Sequence, residues 1–311
     1  MKIWSIHEPV SIKNPVATIG IFDGVHAGHR FILDHLKEQA RKYRGESVVV
    51  TLWPHPRIVL DKDVHHFKLL HSRDEKIREL EKSGIDHLVI IPFDKQTASL
   101  TACEFTQEYL VDLLGVKALL VGYDNKFGQD RRGDPEGLAL CAEKNAFSIE
   151  KLPEFRSEHG KVSSTAIRDA VLGGDLETVG KMLDYHYYLS GNIVEGNHIG
   201  RKMGFPTANI HPTDPNKLIP MNGVYAIRAE LTGKLLGGML NIGFRPTIDS
   251  ASAVKTIEAH LFDISGDFYG EQIMIHFIRR VRDEMRFRGL EELRAQLEKD
   301  RIIIRKLLQE I

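Results

Sequence analysis

The chain has 311 residues, more than one hydrophobic core usually supports, so two domains are expected. Its 42 Lys and Arg nearly balance 43 Asp and Glu for a formal net charge of −1, which gives no compositional support to a nucleic-acid or anionic-membrane partner. The two cysteines, Cys103 and Cys141, build neither a disulfide framework nor a metal-type spacing, and no signal core or bilayer-length apolar run is present, so a cytoplasmic location is expected.

In chain order, residues 16–22 read as a buried strand, and Phe31, Ile32, His35, Leu36 and Ala40 recur at helical spacing over residues 28–43. Ser47–Trp53 is a second apolar strand, stopped by Pro54-His55-Pro56. The result is a βαβ unit whose loop stands at the strand's carboxyl end, where open α/β sheets hold ligands. Ser72-Arg-Asp-Glu75 and Thr101-Ala-Cys-Glu104 are capping boxes opening helices that end at Gly84 and near Gly115, and strands follow each at residues 87–91 and 117–121. This alternation predicts a Rossmann-like, doubly wound parallel sheet for residues 1–183, with short helical pieces at residues 165–171 and 176–183. Residues 184–311 change character. Tyr225, Ile227, Ala229 and Leu231 share one strand face while Arg228 and Glu230 share the other, Thr232-Gly233-Lys234 turns the chain, and residues 256–262 and 272–278 alternate in the same way. A small antiparallel barrel closed by a C-terminal helix over residues 290–308 is predicted.

The connection after the first strand is Gly20-Ile-Phe22-Asp23-Gly-Val-His26-Ala-Gly28-His29. His26 and His29 flank a glycine at a helix start, where free amides and the helix dipole favour an anion such as a triphosphate. Read plainly, these are surface-loop histidines with Asp23 holding the turn, and a metal pair lacks a recurring third ligand. Farther on, Ser163-Ser164-Thr165-Ala-Ile-Arg168 opens a helix. The hydroxyls alone are ordinary caps, but Arg168 adds a charge suited to a leaving pyrophosphate.

The H-x-G-H loop with the later S-S-T-x-I-R resembles the nucleotidyltransferase superfamily. The surrounding G-x-F-D-G-x-H-x-G-H, P-H-P and G-x-D-x-x-F-G resemble the FMN adenylyltransferase module of bacterial FAD synthetases. The resemblance implies that Gly20, Phe22, Asp23, His26, Gly28, His29, Ser164, Thr165 and Arg168 serve the ATP phosphates. It implies that His55, Pro56, Asp124, Phe127 and Arg132 serve the flavin end, and that His29 and Arg168 stabilise charge as the FMN phosphate attacks the α-phosphorus of ATP. Trp53 stands where the family usually has phenylalanine.

No P-loop sequence occurs. Instead Gly196, Gly200 and Gly204 punctuate a loop leading to Pro206-Thr207-Ala208-Asn209. On composition these glycines mean only tight turns, yet Thr207 and Asn209, two apart on a strand, share a face and can address one Mg-ATP together. Glu258 and His260 likewise share a face, by default a solvated one. Gly191-Asn-Ile-Val-Glu-Gly196, Gly200-Arg201, P-T-A-N, Asn241-Ile-Gly-Phe-Arg-Pro-Thr247, E-A-H-L-F-D and Arg282-Asp-Glu-Met-Arg-Phe287 follow in order, and the series resembles the riboflavin kinase module. By that resemblance Gly196, Gly200, Arg201, Gly204 and Pro206 belong to the nucleotide site, Thr207 and Asn209 hold Mg2+, Glu258 is the general base, and Arg282 and Phe287 shape the flavin end. Riboflavin, FMN and FAD are then substrates and products, not prosthetic groups. Transfer to another phosphorylated acceptor, or a flavin sensor without turnover, are the competing readings, and the sequence leaves a homo-oligomer open.

Overall fold

The computed structural model describes residues 1–6, 8–60, 67–123, 127–130, 132–157, 160, 162–196, 200, 204–245 and 254–310. Asp124 and Arg201 of the sequence-based site lie outside them. The chain forms two compact units, residues 1–162 and 163–311.

The first unit contains six strands: β1 (Lys2–Ser5), β2 (Val16–Ile19), β3 (Ser47–Trp53), β4 (His87–Pro92), β5 (Ala118–Val121) and β6 (Ser148–Lys151). They lie in the order β1-β4-β3-β2-β5-β6, every neighbouring pair parallel. Alternation along the strands sends Val48 and Val50 to one core and Val49 to the other. Helices α1 (Ala27–Lys42) and α3 (Arg73–Lys82) cover the Val49 side through Leu33, Leu36 and Leu80. The opposite side is covered by α5 (Ala102–Phe105), which runs into a π-helix over Thr106–Leu113, and by α6 (Pro135–Asn145). Short helices α2 (Pro56–Leu60) and α4 (Lys95–Ser99) fill the connections after β3 and β4. Because α1 and α3 lie on one face and α5 and α6 on the other, the winding reverses at β2. The crevice beyond the carboxyl ends of β2 and β5 is therefore the topological switch point.

Both capping boxes form as expected: Ser72 accepts from Glu75 N at 3.3 Å while Glu75 accepts from Ser72 N at 2.9 Å, and Thr101 pairs with Glu104 in the same way. Strand β2 is shorter than the apolar run expected over residues 16–22. It ends at Ile19, since Phe22, Gly24 and Val25 take positive φ values of 50°, 90° and 35° to turn the chain into α1.

The second unit opens with α7 (Ser164–Gly173) and α8 (Leu176–Leu183). A closed barrel follows, made of β7 (Tyr188–Val194), β8 (Ala208–Pro212), β9 (Gly223–Leu231), β10 (Lys234–Arg245), β11 (Val254–Leu261) and β12 (Gln272–Arg282), joined in the order β10-β11-β8-β7-β12-β9. All of its pairs are antiparallel. Thr232 and Gly233, both at positive φ, make the tight hairpin between β9 and β10. Inside the barrel, Tyr225, Ile227, Leu240, Ile257, Ile275 and Phe277 are buried, with the Tyr225 and Phe277 rings edge-on at 5.4 Å. Outside it, Val224, Ala226, Met239, Phe262 and Ile278 pack under Leu297 and Ile304 of α9 (Leu290–Gln309). The helix thus covers a face of the barrel.

Candidate active sites

The loop after β2 builds the first site. His26 is the N-cap of α1, its Nδ1 accepting from His29 N–H at 3.3 Å, so the two imidazoles stack with centroids 3.7 Å apart and planes 14° apart. Gly28 permits the stack, since a Cβ there would press to 3.3 Å on the His26 ring. A Cβ at Gly20 would come within 2.9 Å of the Phe22 ring, which lies 5.0 Å from His29. The His29 Nδ1 atom is buried with no hydrogen-bond partner among the described residues. Burial, aided by His26, Lys76 and His71, holds the imidazole well below its ordinary pKa, so His29 is neutral at pH 7.

Asp23 has a structural task here. Its carboxylate accepts from the backbone N–H of Leu70 (3.1 Å) and of His71 (3.0 Å), anchoring the chain that enters α3. His55 is buried, its Nδ1 accepts from Arg57 N at 3.1 Å, and its ring lies 4.6 Å from Phe67; Pro56 begins α2. Phe127 packs edge-on against Phe105 at 5.5 Å, in the loop beyond the carboxyl end of β5. Gly133 makes room for it, because a Cβ there would collide with the Phe127 ring, while Arg132 is exposed. The histidine loop and the Phe127 loop thus leave β2 and β5 on either side of the switch point.

Ser163, not Ser164, is the side-chain cap of α7, accepting from Ala166 N at 3.2 Å. Ser164 and Arg168 are half-buried and Thr165 is exposed; all three fall in the second compact unit.

The second site lies on the outer face of the barrel. Strand register aligns Val224, Asn241, Glu258 and Asn209 side by side across β9, β10, β11 and β8. Two register shifts in β12 bring Arg282 opposite Val224 at the end of this row. All five residues line a cavity of about 310 Å³ together with Thr207, His260, Glu284 and Phe287. Glycines keep its rim open: a Cβ at Gly196 would collide with the Asn209 amide, one at Gly200 with the Phe205 carbonyl, and one at Gly243 with the Glu284 carboxylate. Gly204 turns the chain at φ 82° into exposed Pro206, whose carbonyl accepts from His260 Nδ1–H at 2.8 Å. Burial holds His260 below its ordinary pKa, so it stays neutral beside Arg301 and Arg305.

Arg282 makes a bidentate pair with Asp300 of α9, at 3.1 Å and 2.7 Å, and Asp300 is 1% exposed and also accepts from Gln296 at 2.8 Å. The arginine therefore ties the helix to the cavity wall as well as lining it. Sequence reasoning missed Asn241, Glu284 and Asp300. Asn241 stood in a quoted motif and needed only the β10–β11 register to join the row; Asp300 sits on a helix whose charge pattern marks no single residue.

Thr207 and Asn209 offer hard oxygen donors, and among the described residues no group of three or more His, Cys, Asp or Glu could hold a metal ion by itself. The donors suit a magnesium ion that arrives with, and is chiefly ligated by, nucleotide phosphates.

A switch-point histidine loop in a parallel sheet, followed by a barrel face carrying a carboxylate between two amides, defines a two-module phosphate-transferring enzyme. The FAD synthetase family matches residues 9–166 and the riboflavin kinase family residues 183–308. The bifunctional riboflavin kinase/FMN adenylyltransferase of Escherichia coli K12 is 37% identical over 292 residues, covering 94% of this chain and 92% of that protein. The enzyme of the same description from Bacillus subtilis 168 is 34% identical, covering 92% and 90%. A solved structure from Streptococcus pneumoniae, described as a macrolide-efflux protein, superposes with a TM-score of 0.86 at 32% identity over 97% of this chain and 98% of that one. Among the described residues of this chain, no helix is long and apolar enough to cross a membrane. The chain belongs to the bifunctional riboflavin kinase/FMN adenylyltransferase family.

Proposed function

We propose that the chain phosphorylates riboflavin to FMN on its barrel and adenylylates FMN to FAD at its histidine loop, by the following division of labour. The observation that carries the reading is the Asn209–Glu258–Asn241 row facing one cavity. Glu258 takes the proton of the ribityl 5′-hydroxyl as that oxygen attacks the γ-phosphorus, and ADP departs. Thr207 and Asn209 would hold the magnesium of Mg-ATP, which neutralises phosphate charge. The glycines at 196, 200 and 204, with Arg201 and Pro206, admit the nucleotide; Arg282 and Phe287 bound the flavin end.

In the second reaction no protein nucleophile is required. A phosphate oxygen of FMN attacks the α-phosphorus in line and pyrophosphate leaves. Gly20, Phe22, His26, Gly28 and His29 present amides and imidazoles to the phosphates, with Asp23 holding the loop. The motif assigns Ser164, Thr165 and Arg168 to the same nucleotide, and His55, Pro56, Asp124, Phe127 and Arg132 to the flavin. We set the functional boundary at 183/184, a reading supported by a riboflavin kinase match over residues 183–308, whereas the compact units divide at 162/163. A cytoplasmic location fits two free thiols, and the net charge of −1 favours neither nucleic acid nor membrane as a partner; the oligomeric state is read from mass in solution.

The test is a product-resolved time course from riboflavin and Mg-ATP. His29→Ala should accumulate FMN without FAD, and Glu258→Ala should make no FMN yet convert supplied FMN to FAD. FAD formation by His29→Ala at the wild-type rate would remove the first assignment, and undiminished FMN formation by Glu258→Ala the second.

A further inference from the structure

Lys76 lies in the first full turn of α3, where a lysine normally carries its ammonium out to water along its stem. Here the residue is 3% exposed and turned inward, with Nζ 5.1 Å from the Trp53 ring centroid. That nitrogen is buried and has no hydrogen-bond partner among the described residues. Asp23, from the loop after β2, acts on its charge; Lys76 in turn acts with His26 and His71 on His29 of α1, and Glu75 and Glu79 are its buried neighbours along α3. Asp23 attracts the ammonium, but both of its oxygens accept from backbone N–H groups. The placement is fixed by the packing of the two helices. Glu79, one turn beyond Lys76 and fully buried, takes Arg30 at 3.2 Å and Lys82 at 2.7 Å, and Arg30 directly follows His29. A buried cation without a hydrogen-bond partner among the described residues is a costly arrangement that a neutral side chain of similar length would avoid. With His29 held neutral, the imidazole supplies a dipole at the start of α1, and Lys76 supplies a charge.

We propose that Lys76 is a catalytic residue of adenylyl transfer, its ammonium contacting the reacting phosphates at the N-terminus of α1. This rests on the reading of the histidine loop as the adenylylating site. A phosphate oxygen of FMN forms the new bond to the α-phosphorus, the bond from that phosphorus to the bridging oxygen breaks, and pyrophosphate takes the electron pair. Lys76 keeps its proton and stabilises the charge on the oxygens around the reacting phosphorus. Burial lowers the free ammonium to about 8, opposed by Asp23. A bound polyanion raises it again, so the charge is present when phosphates are bound at neutral pH.

The experiment measures adenylyl transfer from Mg-ATP to supplied FMN in the full chain for wild type, Lys76→Met, Lys76→Arg and His29→Ala, with riboflavin kinase activity of the same samples as the check on the second unit. Lys76→Met should lose about a hundredfold or more in kcat/KM. Lys76→Arg should regain at least about tenfold of that and move the basic limb of the kcat profile to higher pH. A Lys76→Met loss below about tenfold, or an unchanged basic limb in Lys76→Arg, overturns the proposal. Should Lys76→Met not fold, the wild type decides. The ε-carbon NMR titration of Lys76, assigned through Lys76→Arg, should move upward by about one pH unit or more with inorganic pyrophosphate, and an unmoved titration is equally fatal. Full FAD formation by His29→Ala would remove the site itself, whereas an inactive His29→Ala beside a fully active Lys76→Met would remove Lys76 alone.

Discussion

The two sites solve phosphate transfer with different materials. The histidine loop packs its glycines, imidazoles and helix start into ten consecutive residues, and the buried ammonium proposed to act with it comes from one neighbouring helix. The barrel site has no such local unit: its row of Asn209, Glu258 and Asn241 comes from three strands, and Arg282 joins through two register shifts. Positioning plus fixed charge suffices when the nucleophile is already a phosphate anion, as in FMN. A hydroxyl nucleophile needs a carboxylate base, and a strand face can hold that base between amides without desolvating it fully.

The sharpest way to break this contrast is Glu258→Gln, which keeps shape and removes the proposed base. Steady-state kinetics should show a kinase kcat lower by on the order of a thousandfold, with adenylyl transfer to supplied FMN unchanged. His29→Ala should act in mirror image and more mildly, costing about a hundredfold in adenylyl transfer and nothing in kinase turnover, because only one of several polar contacts is lost. Asp300→Asn tests whether Arg282 serves by position. Breaking a buried pair should cost the second unit roughly 3 kcal/mol, read by chemical denaturation, and should raise the KM for riboflavin more than it lowers kcat.

The most gradual effect is electrostatic and confined to the first unit. Lys76 titrates at about 8 in the folded chain against an ordinary 10.5, so between these values the unfolded chain binds more protons. Stability of that unit should therefore rise with pH across this window, by up to roughly 3 kcal/mol, and the rise should be absent from Lys76→Met. A flat wild-type profile in denaturant melts taken from pH 8 to 10.5 would contradict the buried charge.

Much of the fold was legible because its signals are local. The strand Ser47–Trp53, the caps at Ser72 and Thr101 and the strand Gly223–Leu231 fall where periodicity and capping chemistry put them. Edge strands β1 and β6 escaped notice, since each is short and mostly in contact with solvent, and so carries little of the apolar pattern that marks a buried strand. Helix α6, around Cys141, was left without bounds, although Asp134 caps it and Pro135 starts it. Asp23 illustrates the limit for sites: the motif offered either the nucleotide or the turn, and two of its hydrogen bonds reach Leu70 and His71, 47 and 48 residues away.

The sequence by itself determined the two modules, their order, the histidine loop and the Pro206-Thr207-Ala208-Asn209 segment, because each rests on residue patterns at short spacing, while Glu258 was singled out by the order of motifs alone. Only the tertiary structure decided what spans long separations. Strand register put Asn241 beside Glu258, a buried pair joined Arg282 to Asp300, and the contact of α3 with α1 brought Lys76 near His29. The physical reason is burial, which depends on packing between distant segments and decides whether a polar group is a solvated surface residue or a working charge.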